Sequence, residues 1–371
     1  MNSQGPDAER PAPVKRSTWL AFGLLVVAPL PPLQARDLII RGRRELEAVN
    51  RRLHGQVVDY THNHGADRRI WSEALGQKRD LYVYLPPGFD PAKRYPLIIA
   101  LHGWAQDERA FIRYAVDVFD QAMASGCMPL AIVVVPDGSV DGDGCLTQSG
   151  SFFINSKAGR FEDFVMQDVW NFVMKNYPIR PEREAHALVG VSMGGAAAFN
   201  LGIKHRDCVQ VVAGIYPPIN MRYVDCHGRY MSHFDPDCQG LRTDVSRGHE
   251  IIGRFYGVVL ISLKRLLDPI YDRRDPSVIE QLSKDNPYEV MDAYNLKDGE
   301  LSMFIAYGGR DEFNIDAQVE SFLYKAKKNG ITVDVVYDPK GRHDYRTLVK
   351  FQPFLFDWLN KRLAAYSPAP E

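Results

Sequence analysis

The segment Gly190-Val191-Ser192-Met193-Gly194 lies between the apolar run Ala187-Leu188-Val189 and the small-residue run Gly195-Ala196-Ala197-Ala198. The first run reads as a buried strand and the second as the start of a helix. Only a sharp strand-to-helix turn fits between them, with Ser192 at its apex. Glycines two positions before and after the serine remove Cβ atoms that would collide with the strand and helix beside the turn. The turn lifts Ser192 Oγ clear of a sheet and aims the helix N-terminus at any anion formed there. This pattern predicts an α/β architecture built around a serine nucleophile.

A serine becomes nucleophilic when a histidine takes its proton and a carboxylate orients that histidine. Downstream, the apolar run Leu301 to Tyr307 ends in Gly308-Gly309-Arg310-Asp311-Glu312, a turn with two carboxylates. A second run, Ile331 to Tyr337, leads into Asp338-Pro339-Lys340-Gly341-Arg342-His343-Asp344. Each candidate therefore follows a strand, at the end where open parallel sheets place their sites. His205 falls at the end of the elbow helix, and His227, His233 and His249 fall in an intervening segment. His343 is thus the expected base. Asp311 is favoured as the acid because it lies nearer the strand and its short side chain suits a tight turn. Glu312 is the alternative acid.

An oxyanion needs two backbone N–H donors. The residue after the nucleophile, Met193, supplies one. The run Tyr95 to Leu101 ends in His102-Gly103-Trp104, so the Trp104 N–H is the expected second donor, with His102 holding the loop by hydrogen bonds.

Leu81-Tyr82-Val83-Tyr84-Leu85-Pro86-Pro87-Gly88-Phe89-Asp90, then Tyr95-Pro96, His102-Gly103, Phe161-Glu162-Asp163-Phe164, the Ser192 elbow, Gly309-Arg310-Asp311 and Gly341-Arg342-His343-Asp344 follow in order over residues 78–362. This series resembles the esterase-D-like family of α/β-hydrolases, which includes S-formylglutathione hydrolases, feruloyl and acetyl-xylan esterases, enterochelin esterases and mycolyltransferases. The resemblance implies a mostly parallel eight-stranded sheet with helices on both faces. It also implies an ester or thioester acyl-enzyme at Ser192, without fixing the substrate. Ester hydrolysis is the expected reaction, with a small acyl or aromatic acid, free or carbohydrate-linked, as the substrate class. Acyl transfer on the same triad and a non-catalytic binding role are the alternatives.

The chain has 371 residues, a net charge of −1 and 45% hydrophobic residues. That suits one α/β domain over residues 36–371, and the interspersed charges argue against a nucleic-acid partner. Lys15-Arg16, the apolar stretch Trp19 to Leu30 and Gln34-Ala35 form the pattern of an export signal over residues 1–35. Its apolar run is shorter than the ~20 residues a membrane span needs, so the mature chain is expected to be exported without a stable span. An uncleaved anchor is the alternative.

Strands are expected near residues 56–61, 81–86, 96–101, 130–135, 186–191, 209–215, 301–307 and 331–337, with a helical arm before them. Residues 217–300 leave the sheet beside the serine and read as a cap. Asn155 and Ser156, in an aromatic and polar loop, are candidate substrate contacts. Asp141-Gly142-Asp143-Gly144 lacks the later bidentate glutamate of a calcium loop, so neither metal nor cofactor is assigned.

There are five cysteines. Cys127 and Cys208 precede strands that are not neighbours in the usual strand order of such folds, beyond the roughly 7 Å Cα limit for bridging. Cys226 and Cys238 are expected to form a disulfide, with Cys145 as an alternative partner. A zinc site from Cys226, His227, His233 and Cys238 matches no common structural spacing.

Overall fold

The computed structural model describes residues 43–144, 150–255 and 258–368. Its centre is a sheet of β1 (Gln56–Tyr60), β2 (Leu81–Leu85), β3 (Leu97–Leu101), β4 (Ile132–Pro136), β5 (His186–Val191), β6 (Val211–Ile215), β7 (Ser302–Gly308) and β8 (Asp334–Asp338). The strands lie in the order β1-β2-β4-β3-β5-β6-β7-β8. β2 runs antiparallel to both of its neighbours, and β4 through β8 pair in parallel.

β2, β4 and β6 are buried at every position. Their sequences LYVYL, IVVVP and VVAGI are continuous apolar runs rather than alternating ones, as required of strands covered on both faces. Edge strand β1 alternates instead. The main covering helices are Val116–Ala124, Trp170–Asn176, Met193–Lys204, Ile315–Lys328 and Tyr345–Leu363. Two of them are entered through π-helical turns, Phe111–Ala115 and Phe164–Val169, which no sequence period marks. The arm before β1 is helical over Arg43–Arg52.

The last strand begins three residues later than its sequence suggests. The Ile331 N–H bonds to the Ala326 carbonyl at the preceding helix end, and the Thr332 N–H bonds to the Asp298 carboxylate. Both donors are therefore taken before the ladder with β7 starts at Asp334.

Residues 217–300 form a hairpin of Tyr223–Asp225 with Gln239–Leu241 and a second of Ile251–Phe255 with Val259–Ser262. Helices Leu263–Leu267, Val278–Lys284 and Pro287–Ala293 follow. The apolar stretch Ile251 to Leu267 is thus a hairpin and a short helix. Buried amides root the insertion. Asn286 accepts from the Met221 N–H at 3.0 Å and donates to Asn220 at 3.2 Å, and Asn220 donates to Ser321 at 2.9 Å. Each such bond contributes about 1 kcal/mol net.

Cys226 and Cys238 are joined, with Cα atoms 4.7 Å apart, so their sulfurs are not available as zinc thiolates. Cys127 and Cys208 are unpaired and precede β4 and β6, which β3 and β5 separate in the sheet. Cys145 and residues 1–35, over which an export signal is expected, lie outside the described residues. Among the described residues, no helix is long and apolar enough to cross a membrane.

Candidate functional site

Ser192 sits between β5 and helix Met193–Lys204 at φ +54° and ψ −120°, a region that costs a side-chain-bearing residue about 1–3 kcal/mol. Its neighbours hold it there. The Ser192 N–H donates to Ile215 O of β6 at 2.9 Å, and the Ser192 carbonyl accepts from Ala196 N–H at 3.1 Å. The turn is also pressed against the end of β3. A Cβ on Gly194 would lie 2.0 Å from Leu101 O, so no other residue fits.

The acid and histidine loops follow β7 and β8, which are adjacent. A Cβ on Gly308 would lie 2.4 Å from the Gly341 backbone, and the Arg310 N–H donates to Gly341 O at 2.9 Å. This close approach brings Asp311 to His343. Asp311 Oδ2 lies 2.8 Å from His343 Nδ1, and His343 Nε2 lies 2.9 Å from Ser192 Oγ. A carboxylate only accepts, so Nδ1 carries the proton and Nε2 is left to accept from the serine hydroxyl. The Asp311 side chain is fully buried and that of His343 is 7% exposed, which shields the relay from water.

Glu312 points elsewhere. Its carboxylate accepts the His343 backbone N–H at 3.0 Å and pairs with Arg342. The two adjacent carboxylates thus divide their work: Asp311 meets the imidazole, and Glu312 fixes the chain that carries it. Rings pack around the imidazole, Tyr216 at 4.3 Å, Phe313 at 4.8 Å and Phe255 at 6.4 Å between centroids. Tyr216 holds φ +36° directly after β6, another strained position beside the site.

Among the described residues, the backbone N–H groups of Met193 and Trp104 have no intramolecular acceptor. Both therefore remain available to an anion near Ser192. The loop bearing Trp104 is pinned by His102, whose Nε2 accepts from the Gly138 N–H at 2.8 Å while Nδ1 donates to Gly103 O at 2.9 Å. Burial pushes the His102 pKa down, so the ring stays neutral and keeps this tautomer.

Ser192 and His343 open on a cleft of about 820 Å³, its mouth included. Its walls are mostly apolar, with Trp104, Phe152 and Phe313 from the sheet side and Met221, Phe255 and Leu263 from the 217–300 insertion. Phe255 stacks on Trp104 at 5.8 Å with planes 8° apart.

Asn155 and Ser156, the candidate substrate contacts of the sequence, are not among the residues that line this cleft. They form a short hairpin with Gly159–Arg160, where Asn155 Oδ1 accepts from Asp163 N–H at 3.3 Å and Ser156 Oγ from Ala158 N–H at 3.2 Å. Both side-chain oxygens thus accept nearby backbone N–H groups, and Phe152 of the same loop reaches the cleft instead. Tyr216 and Phe313, in loops that follow strands, and Phe255, at the end of a hairpin strand in the insertion, escaped the sequence reading because such positions carry no spacing signal that points to the serine. Only the placement of Phe255 within an apolar stretch hinted at burial.

The Esterase family model matches residues 72–359. The endo-1,4-beta-xylanase/feruloyl esterase of Xylanibacter ruminicola is 27% identical over 160 residues, 41% of this chain and 21% of that protein. The chain therefore spans only a small part of this curated relative's length. A solved ferulic acid esterase superposes with a TM-score of 0.58 at 20% identity, covering 83% of this chain and 99% of that one. The S-formylglutathione hydrolase of Agrobacterium tumefaciens superposes with a TM-score of 0.54 at 15% identity, covering 84% and 96%. At these identities the two superpositions carry the fold, that of α/β-hydrolases.

Proposed function

The chain belongs to the Esterase family, and from that premise we propose that it is an exported serine carboxylic-ester hydrolase working through an acyl-enzyme on Ser192. The observation that carries this reading is the hydrogen-bonded relay Asp311–His343–Ser192 opening on an apolar cleft.

In the proposed reaction, His343 Nε2 takes the Ser192 proton as Oγ attacks the ester carbonyl carbon. The carbonyl oxygen becomes an oxyanion held by the Met193 and Trp104 N–H groups. The Asp311 carboxylate stabilises the imidazolium and stays ionised. Collapse breaks the bond to the alcohol oxygen, which leaves with the proton from Nε2 and gives the acyl-enzyme. Water then gives a proton to Nε2 and attacks the same carbon. Release of the acid returns that proton to Ser192 Oγ.

The 217–300 insertion acts in this reading as a cap, a role supported by its apolar side chains in the cleft wall. The cleft suits the apolar part of an acyl group, in keeping with a small acyl or aromatic acid. Export is supported by the basic-then-apolar pattern of residues 1–35 and by the Cys226–Cys238 disulfide, a bond that persists in oxidising compartments.

A fluorophosphonate probe tests the reading. Labelling of the wild type and none of Ser192→Ala is expected, together with cleavage of 4-nitrophenyl acetate. An unlabelled wild type that cleaves no ester overturns it.

A further inference from the structure

The hairpin of Ile251–Phe255 with Val259–Ser262 has two unlike faces. Its inner face supplies Ile252, Phe255 and Ile261 to the cleft wall. Its register pairs Arg254 with Leu260 and Ile251 with Ser262. Side chains two apart along a strand share a face, as do directly paired residues. Ile251, Arg254, Val258 and Leu260 therefore fall together on the outer face. There Val258 is 78% exposed, Leu260 49% and Ile251 36%. Exposed apolar side chains scattered singly need no explanation, but these share one face of one element. Arg254 and Lys264, the latter two residues past the hairpin, are exposed as well.

The charge around this face has one sign. Residues 251–267 include Arg254, Lys264 and Arg265 and no Asp or Glu. The acids that bound the segment are already neutralised, Glu250 by Arg242 and Asp268 by Arg273. Arg265 lies over the Trp104 ring. Among the described residues, Arg254 and Lys264 make no ion pair. The outer face thus presents apolar side chains beside two uncompensated cations.

These two properties select the occupant. A second copy seated on this face by two-fold symmetry sets Arg254 and Lys264 against their own counterparts, and like charges repel. A soluble polyanion meets the cations and leaves Val258 and Leu260 in water. An uncharged apolar partner strips water from the cations without pairing them. An anionic lipid surface satisfies both groups. Its acyl boundary takes the apolar side chains, and its headgroup phosphates meet the cations, whose flexible stems let the charged ends reach back to them. We propose that the outer face of this hairpin docks the protein on an anionic lipid surface without spanning it. One face of the hairpin is then the anchor and the other the cleft wall, which sets the cleft beside the lipid. Docking does not depend on the reaction at Ser192.

The test is flotation of the full chain with phosphatidylcholine vesicles, either alone or with about one-third phosphatidylglycerol, near the anionic content that such electrostatic docking needs. The wild type should float with the anionic vesicles at low salt and be released at about 0.5 M salt, where charges are screened within a few Å. Arg254→Gln with Lys264→Gln should lower the partition coefficient about tenfold or more, and Val258→Ser with Leu260→Ser about tenfold. None of these four side chains lines the cleft, so cleavage of dissolved 4-nitrophenyl acetate should not change in either double variant. Hydrogen exchange over Ile251–Ser262 should slow when the anionic vesicles are added to the wild type. A wild type that binds no anionic vesicle overturns the proposal. Binding that both double variants retain, with exchange in the hairpin unaltered, places the contact elsewhere in the chain and also overturns it. So does a dimer, seen by sedimentation, that Val258→Ser with Leu260→Ser dissociates, since the face then belongs to a second copy.

Discussion

Asp311 and Glu312 are adjacent, equally charged, and held to different tasks by the direction each side chain takes from one turn. Asp311 Oδ1 also accepts the Phe313 N–H at 2.9 Å, so the carboxylate is fixed before it meets His343. Replacing it by Asn removes the ionised acceptor and allows an amide N–H to face Nδ1, favouring the wrong tautomer. Asp311→Asn should therefore lower kcat by about 10³–10⁴-fold. Glu312→Gln keeps an oxygen for the His343 N–H and loses the Arg342 ion pair, so its loss should stay below about tenfold. Steady-state kinetics of the two variants checks this, and the reverse ranking would make Glu312 the acid. Ser192→Ala should lower kcat by about 10⁶-fold with the fold retained, as circular dichroism and kinetics will report. Turnover near the wild-type level would remove Ser192 from the chemistry.

The insertion is an element stabilised differently from the sheet. Its hairpins have short ladders, and the Cys226–Cys238 bond closes a loop of sequence separation 12 at the turn of one of them. Closing a loop of this size is worth about 3 kcal/mol in the chain-entropy model. The double variant Cys226→Ser, Cys238→Ser should therefore loosen Tyr223–Leu241 locally while leaving the sheet intact. Hydrogen exchange should quicken in that hairpin by roughly two orders of magnitude, with β5 and β6 unchanged. KM should rise, because Met221 and Arg242, which border this hairpin, line the cleft. Equal exchange in both proteins would show that hairpin packing alone holds the segment.

At the scale of the whole molecule, burial of charge sets a pH dependence. Glu108 is 2% exposed, and its pKa is pushed well up by burial first and then by Asp137, Asp107 and Asp80. The fold therefore favours its protonated form. That contribution to stability is intact below the ordinary glutamate range, about 4.3, and is lost as pH rises through the raised value. Glu108→Gln removes the ionisation while keeping an oxygen for Asn63, which donates to Oε1 at 2.6 Å. The variant should melt about 2–4 °C above the wild type at pH 8 and level with it at pH 4. Thermal melts at the two pH values decide this, and a gain at pH 4 would point to packing instead.

The strand-turn-helix at Ser192, the order of serine, acid and histidine, the Trp104 loop and the Cys226–Cys238 pairing were legible in the sequence alone. Each rests on local chemistry: glycine spacing, apolar runs ending in turns, and cysteines close along the chain. Only the tertiary structure set Asp311 rather than Glu312 against the His343 imidazole, placed Asn155 and Ser156 in a short hairpin, and began β8 at Asp334. It alone brought Tyr216, Phe255, Gln318 and Arg242 to the site. These depend on side-chain direction and on contacts between residues far apart in the chain, and neither leaves a period or spacing for a sequence to display.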